Sequence, residues 1–330
     1  METILVAGGA GYIGSHTAYE LEKAGYNVIV LDNFSEGHRE FVKDYKVCEV
    51  DLADIDGIRK VFAQNKIDAV IHFAAFAYVG ESVQYPEKYY YNNVVNTLNL
   101  LKAMIEYNCK KIVFSSTCAT YGIPEHTPIS ETQKQDPINP YGNTKLMIEK
   151  IFKDYDRAYG LKYYALRYFN AAGASPEKNI GEWHRIETHI IPLVLRTLTG
   201  ESKNITIFGD DYNTPDGTCI RDYIHVDDLA SAHRLALEKL LSGSDSECIN
   251  LGTGIGNSVK EIISSAERVT GKKVPVVIGA RREGDPDSLF ASNEKAKDIL
   301  GWKIKYTNID DIIKTAWEWE KKLHAMKSAV

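Results

Sequence analysis

The stretch ILVAGGAGYIG (residues 4–14) decides the fold, because an apolar strand runs directly into closely spaced glycines. Glycines 9, 11 and 14 fit the pattern GxGxxG, and glycines 8, 11 and 14 fit GxxGxxG. Such glycines permit a tight turn, close approach of the backbone to a pyrophosphate, and tight packing of the following helix. The helix that follows offers its free N–H groups to an anion. A single motif of this kind is weak evidence for dinucleotide binding, so its sequence context matters.

That context is a second strand-like run, YNVIVLDN (residues 26–33), with Asp32 near its end. A carboxylate at this position accepts hydrogen bonds from the adenosine ribose hydroxyls and repels a 2′-phosphate. The sequence therefore predicts an NAD site, with NAD favoured over NADP.

Strand-like runs rich in Val, Ile, Tyr and Phe alternate with amphipathic segments over the first two thirds of the chain. The helical segments are predicted at Ser15–Ala24, Asp54–Gln64, Asn92–Tyr107 and Tyr141–Tyr159. Buried strands alternating with helices indicate right-handed βαβ units. The predicted fold class is α/β, a doubly wound parallel (Rossmann) sheet with a smaller, mixed α/β C-terminal substrate lobe.

The pattern changes after about Ala174, where Gly, Pro and Asn become frequent and the elements look short and irregular. We predict an NAD-binding Rossmann domain over residues 1–172 and a substrate-binding lobe over residues 173–330. A strand-like run entering a Gly-rich turn, SECINLGTG (246–254), predicts that the chain returns to the first domain around residues 222–254.

Composition narrows the possible partners. The formal net charge of the 330 residues is −6, which gives no support to nonspecific nucleic-acid binding. Affinity for an anionic substrate must then come from a few local basic residues. No apolar run is long enough to cross a bilayer, and no targeting segment precedes the first strand. The five cysteines are scattered without a CxxC pair, so we expect reduced thiols, no metal site and a cytoplasmic location.

Tyr141 and Lys145 form the pattern YxxxK at the start of a predicted helix. The i, i+4 spacing places both side chains on one face. A neighbouring ammonium and a positive nicotinamide ring both favour the phenolate, so we expect the pKa of Tyr141 to be lowered. The run FSST (114–117) precedes this pair, and Thr117 could offer a hydroxyl to the same reacting oxygen or could act only as a turn or cap residue.

These motifs together resemble the extended short-chain dehydrogenase/reductase family, and within it the UDP-galactose (UDP-glucose) 4-epimerases. The resemblance runs essentially end to end and includes GGAGYIGSH, IHFAA, FSSTCATYG, NPYGNTK, LRYFNAAGA, TPDGTCIRDYIHV and RREGD. The last two blocks are the most specific. Some positions depart from the commoner pattern without removing a required chemical group: Ala7, Ala77, Val95, Cys118 and Thr120.

The resemblance implies a set of site residues. Besides Tyr141, Lys145 and Thr117, the implied NAD contacts are Gly8, Gly11, Tyr12, Ile13, Gly14, Asp32, Asn33, Asp51, Leu52, Phe73, Ala74, Ala75, Asn92, Ser115 and Phe169. The implied substrate contacts are Thr117, Asn170, His189, Phe208, Tyr223 and Asp285, with Arg221 and Arg282 on the diphosphate and Leu289 beside the 2-substituent of the hexose.

The implied activity is inversion of carbon 4 of a UDP-hexose through a transient 4-keto sugar, with tightly bound NAD and Tyr141 as base. Carbon 4 bears no acidic hydrogen, so simple proton removal would not invert it. In the family, a bulky Tyr at the position of Leu289 restricts the space beside the 2-substituent. The shorter Leu289 therefore predicts activity on N-acetylated UDP-hexoses as well, the alternative being that Leu289 only packs in the C-terminal lobe. Two alternatives are a nucleotide-sugar 4,6-dehydratase and a noncatalytic NAD-binding scaffold. The family also implies a homodimer, here through helices at about 92–108 and 142–158.

Overall fold

The computed structural model describes residues 1–282 and 284–328; Glu283 of the RREGD block and residues 329–330 lie outside the described residues. The strands are β1 (Thr3–Ala7), β2 (Asn27–Asp32), β3 (Lys46–Glu49), β4 (Ala69–His72), β5 (Lys111–Thr117), β6 (Lys162–Tyr168), β7 (Asn170–Ala172), β8 (Ala174–Ser175), β9 (Ile180–Gly181), β10 (Ile205–Phe208), β11 (Ile220–His225), β12 (Glu247–Leu251), β13 (Gly256–Ser258), β14 (Val276–Gly279) and β15 (Ser288–Leu289).

The α-helices are α1 (Tyr12–Lys23), α2 (Ile55–Gln64), α3 (Val79–Gln84), α4 (Pro86–Tyr89), α5 (Asn96–Glu106), α6 (Pro140–Tyr159), α7 (Ile190–Thr199), α8 (Val226–Leu241), α9 (Val259–Thr270) and α10 (Ile309–Ser328). A π-helical turn, Tyr90–Val95, leads into α5, and a 3₁₀ turn, Cys118–Thr120, follows β5. None of the helices in the described part of the chain is long and apolar enough to cross a membrane.

A seven-stranded sheet forms the centre of the molecule, in the order β12-β6-β5-β4-β1-β2-β3. Every pairing within it is parallel. Helices cover both faces, since separate apolar clusters contain Leu21 of α1 and Leu237 of α8 on one side and Ile58 of α2 and Phe152 of α6 on the other. The predicted α/β fold class is confirmed.

The seventh strand comes from the C-terminal part of the sequence. β12 pairs with β6 through Cys248 opposite Ala165 and Ile249 opposite Leu166. A third apolar cluster lies among α7, α9, α10 and β10 and includes Val194, Ile262 and Ile313. The C-terminal segment thus adds a strand to the large sheet and also builds a core of its own.

The expectation of short, irregular elements after residue 174 is wrong, because α8 has 16 residues, α9 has 12 and α10 has 20. The Gly- and Pro-rich runs that suggested it, residues 173–183 and 208–218, precede these three helices along the chain. The first predicted helix also begins earlier than expected, at Tyr12, because Gly11 takes the N-cap position. α2 begins one residue later than predicted, since the Asp54 carboxylate accepts a hydrogen bond from the N–H of Gly57 and caps the helix.

Candidate active site

A cleft of about 1340 Å³ opens at the carboxyl ends of the central strands. Ligands bind at this edge in open parallel sheets. All of the residues predicted from the sequence for cofactor, substrate or catalysis line this one cleft: Gly8, Gly11, Tyr12, Ile13, Gly14, Asp32, Asn33, Asp51, Leu52, Phe73, Ala74, Ala75, Asn92, Ser115, Thr117, Tyr141, Lys145, Phe169, Asn170, His189, Phe208, Arg221, Tyr223, Arg282, Asp285 and Leu289.

The glycine loop between β1 and α1 is closely packed. A Cβ on Gly8, whose φ is +78°, would lie 2.5 Å from the backbone nitrogen of Ala74, and a Cβ on Gly14 would lie 2.2 Å from the carbonyl oxygen of Gly8. Gly11 precedes α1 with no side-chain hydrogen bond to cap the helix. The first N–H groups of α1 are therefore open to an anion, and the loop fits the pyrophosphate of a dinucleotide.

Asp32 ends β2 and is buried. Its two carboxylate oxygens accept hydrogen bonds from the N–H of Ala10 at 2.9 Å and from the N–H of Phe34 at 2.8 Å. Burial raises the pKa of Asp32, while these backbone donors lower it. The donors fix the carboxylate at the cleft wall, with lone pairs left for a ligand.

Tyr141 lies in the first turn of α6, where the Asn139 side chain caps the helix by accepting a hydrogen bond from the N–H of Gly142 at 2.8 Å. Lys145 follows one turn later and is 2% exposed. Its Nζ lies 5.9 Å from the centre of the Tyr141 ring and donates to the carbonyl oxygen of Ser115 at 2.8 Å. Thr117 ends β5 and accepts a hydrogen bond from the N–H of Ala119, so it caps the next turn while it lines the cleft.

The ionisation of Tyr141 and Lys145 differs from the expectation. Burial raises the pKa of Tyr141 well above its usual value, and the Thr117 hydroxyl only partly opposes this. Burial also lowers the pKa of Lys145 to about 7, against the attraction of Glu149. The predicted lowering of the Tyr141 pKa is therefore not found in the protein alone, because removing a phenolate from water outweighs the effect of its neighbours.

A buried network beneath Lys145 was missed from the sequence. The Glu149 carboxylate accepts hydrogen bonds from Ser116 Oγ at 2.6 Å and from Arg167 Nε at 2.9 Å and Nη2 at 2.7 Å. Arg167 also donates to the hydroxyl of Tyr121 at 2.9 Å. The network ties α6 to β5 and β6. A signal for it was present, since Glu149 stands four residues after Lys145 on the same helix face.

The substrate end of the cleft carries two arginines in different settings. Arg221 on β11 is paired with the carboxylate of Asp285 and donates to the carbonyl oxygen of Ile220 at 2.6 Å. The guanidinium carbon of Arg282 lies 4.2 Å from the centre of the Phe208 ring. Phe208 is 41% exposed. Asp285 thus fixes Arg221. Arg282 instead stacks on Phe208, a side chain that is still partly exposed to the cleft.

Strand pairing sets the remaining predicted substrate residues around Arg221. Tyr223 lies opposite Asn170 in the β11–β7 pair, and Arg221 lies opposite Leu289 in the β11–β15 pair. Leu289 also packs against a small apolar cluster that contains Phe169. It therefore packs against a cluster formed mainly by residues 118–169 and also lines the cleft.

His189 precedes α7, and its Nδ1 lies 2.5 Å from an oxygen of the buried Glu182 carboxylate. Burial alone would lower the pKa of His189, but Glu182 raises it to about 9. Other residues that line the cleft were not predicted: Tyr78, Cys118, Tyr168, Trp183 and His184. Cys118 and Tyr168 lie within the quoted motifs FSSTCATYG and LRYFNAAGA, whereas Tyr78, Trp183 and His184 lie in segments without such a motif.

The fold and the cleft define a dinucleotide-binding protein of the short-chain dehydrogenase type: a glycine loop, an acidic strand end, and a Tyr–Lys pair within one parallel sheet. Residues 4–252 match the family model described as "NAD dependent epimerase/dehydratase family". The chain belongs to this family.

Comparison with individual proteins and solved structures identifies more specific relatives. The chain is 51% identical over 321 residues to a UDP-glucose 4-epimerase of Rhizobium leguminosarum bv. trifolii, covering 97% of this chain and 98% of the relative. It superposes on the UDP-glucose 4-epimerase from Brucella ovis, solved in complex with NAD, with a TM-score of 0.94 and 49% identity, covering 96% of this chain and 98% of that one. For the UDP-Glc/GlcNAc 4-epimerase of Campylobacter jejuni the TM-score is 0.86 at 43% identity, with 98% and 100% covered.

Proposed function

We propose that this protein is an NAD-dependent UDP-hexose 4-epimerase, which interconverts UDP-glucose and UDP-galactose. The observation that carries the proposal is the convergence of the Tyr141–Lys145 pair, the glycine loop and the arginines at 221 and 282 on one cleft. Relatives named UDP-glucose 4-epimerase match nearly the whole chain, and one is solved with NAD. This supports the reaction and its cofactor together.

Each part of the cleft has a separate task in this reaction. Bound NAD supplies the hydride acceptor and a positive ring charge that favours the Tyr141 phenolate. Tyr141 takes the proton of the 4-hydroxyl group and later returns it. Lys145 is held at 2.8 Å from the Ser115 carbonyl oxygen and favours that phenolate while protonated.

Arg221 and Arg282 hold the diphosphate through charge-assisted hydrogen bonds. The anchor lets the hexose turn between the two half-reactions while the nucleotide stays bound. Asp285 keeps the Arg221 guanidinium in place before the substrate arrives. Binding energy from the remote nucleotide is thereby used to position the reacting carbon.

The 4,6-dehydratase alternative is not favoured, because that reaction needs an acid and a base to eliminate water across carbons 5 and 6. The residues after Thr117 are Cys118 and Ala119. Burial raises the pKa of the Cys118 thiol to about 12, so it stays protonated near neutral pH. A noncatalytic scaffold is not favoured either, since it has no need of an intact Tyr141 and Lys145 pair.

Tyr141→Phe tests the assignment directly. We expect turnover of UDP-galactose to fall by roughly 10²–10⁴-fold, the usual contribution of a general base. Bound NAD should be retained, because the hydroxyl acts on the substrate. The assay follows UDP-glucose formation by purified protein without added NAD, with Tyr155→Phe on the same helix as control. Near-normal turnover in Tyr141→Phe would refute the role of this residue.

We further propose that residues 1–172, with the returning segment near 222–254, bind NAD and that residues 173–330 supply the UDP-sugar contacts. The pairing of β12 with β6 supports the return of the chain. The five cysteines are free in the structure, which fits a cytoplasmic protein.

A homodimer through the helices at about 92–108 and 142–158 is also part of the proposal. Apolar side chains are exposed along these helices, among them Val95, Tyr107, Met147 and Tyr159. Large exposed apolar patches mark protein–protein interaction sites. A second copy of the same two helices would cover them in a four-helix arrangement.

A further inference from the structure

A cluster of side chains beside the glycine loop has the composition of a metal site. Glu182, His184 and His189 each offer one ligand atom, and these atoms all lie within 4.8 Å of one another. All three residues belong to the connection between β9 and α7. The sequence predicted no metal site; only the folded connection brings these three side chains together.

The polar atoms of this cluster are incompletely satisfied within the described chain. His184 Nε2 is buried with no hydrogen-bond partner there, although it lies 3.3 Å from a Glu182 oxygen. The neighbouring Glu187 side chain is 2% exposed, and its Oε2 also has no hydrogen-bond partner among the described residues. Buried polar atoms left in this way each call for an explanation, and a bound ion is one.

Acidic side chains outnumber the arginines around the cluster. Arg196 lies 3.7 Å from Glu187 and 3.4 Å from Glu320, so one guanidinium is shared between two carboxylates. Among the described residues, the only basic side chains within 4.0 Å of the Glu182 carboxylate are the imidazoles of His184 and His189. Three carboxylates and one guanidinium leave a local deficit of two positive charges, which one divalent cation would balance.

We propose that Glu182, His184 and His189 bind one divalent transition-metal ion, with Zn²⁺ as the reference ion. Two imidazoles and a carboxylate form a known three-ligand set for zinc, with the fourth position left to water. Bond lengths of about 2.0–2.2 Å to zinc place tetrahedral ligand atoms roughly 3.3 Å apart. The Glu182–His184 separation of 3.3 Å already matches this, whereas the 2.5 Å separation of His189 and Glu182 has to lengthen on metal binding.

The three proposed ligands belong to a segment that contacts the start of α1, next to the glycine loop. The His184 ring meets the Tyr12 ring edge to face at 6.1 Å, and Tyr12 is the first residue of α1. Trp183 stacks on His38 with ring centres 3.8 Å apart. A metal bound by all three ligands would fix the conformation of the β9–α7 connection, whose His184 and Trp183 rings contact Tyr12 and His38. Its role is to position this segment and does not depend on the epimerase assignment.

The test is metal binding by the NAD-loaded protein after dialysis against a chelator. Calorimetric titration with ZnCl₂ should show one tight site per chain, a rise in Tm, and no comparable site for Mg²⁺, which prefers oxygen ligands. His184→Ala and the nearly isosteric Glu182→Gln should each weaken this site at least tenfold. His324→Ala should not, although His324 pairs with Glu201 at 2.9 Å on the surface.

The free cysteines are competing ligands, so Co²⁺ replaces Zn²⁺ in a second experiment. A site of nitrogen and oxygen ligands gives visible d–d bands without the intense thiolate charge-transfer band of a cysteine site. The proposal is overturned if no one-to-one site is found, if both cluster variants bind as tightly as the unaltered protein, or if the cobalt spectrum shows thiolate.

Discussion

We expect the buried Lys145 to lower the free energy of unfolding of this protein. The side chain is fully buried, and burial lowers its pKa from 10.5 to about 7. A lysine whose pKa is lower in the folded than in the unfolded chain binds fewer protons when folded, so stability rises with pH between the two values. At pH 7 and below its cost is at its maximum, and the cost disappears towards pH 10.5.

Lys145→Met removes this pH dependence while it keeps a side chain of similar length. Above pH 7 the cost of the lysine falls by about 1.4 kcal/mol per pH unit. The stability of the variant relative to the unaltered protein should therefore decrease by about 3 kcal/mol between pH 7 and pH 9.5. Loss of the hydrogen bond to Ser115 and of the contact with the Phe114 ring contributes a constant amount, which cancels in this comparison.

Urea denaturation at several pH values measures the free energy of unfolding of both proteins. NAD has to be absent or equally saturating in every sample, because a bound ligand adds its own stability. Lys150→Met, an exposed lysine on the same helix, serves as control and should show no such trend. A relative stability of Lys145→Met that does not change with pH would refute the reasoning, even if the variant lacks epimerase activity.

Three other predictions concern the cofactor, the sugar and the subunit contact. Asp32 should make NADP a poor substitute for NAD by repulsion of the 2′-phosphate; equal activity of apo-protein reconstituted with either cofactor would contradict this. Leu289→Tyr should reduce activity on UDP-N-acetylgalactosamine relative to UDP-galactose by roughly 10–200-fold, the usual effect of one lost steric fit; the idea fails if both substrates slow equally or if the unaltered protein ignores the N-acetylated sugar. Met147→Glu, at a side chain that is 41% exposed on α6, should convert the proposed dimer to monomer in light scattering, whereas Lys303→Glu outside the two helices should not.

Local pattern was sufficient to predict the fold class and the dinucleotide loop. The roles of Gly8 and Gly14 are predictable from the sequence, because no larger side chain fits at either position. The spacing of the glycines is therefore enough to indicate the loop. The residues Asp32, Thr117 and Phe73 end or follow parallel strands, and such strand ends meet at one edge of a sheet. Helical periodicity, in turn, predicted that Tyr141 and Lys145 share one face of a helix.

The lengths of the C-terminal helices were misjudged because glycine and proline mark connections and say little about the elements between them. The Glu149–Arg167 ion pair was missed because it joins residues on α6 and β6 whose proximity depends on the packing of α6 against the sheet. The ionisation of Tyr141 and Lys145 also depended on burial, which no pairwise spacing reveals.

The sequence by itself determined which chemical groups this protein has and the sheet edge at which its motifs meet, because those follow from strand and helix periodicity. Only the tertiary structure decided how those groups are solvated and paired. It placed Asp285 on Arg221, and Glu182 between two histidines. Desolvation and ion pairing depend on every atom packed around a side chain, and those atoms come from parts of the chain that are far apart in sequence.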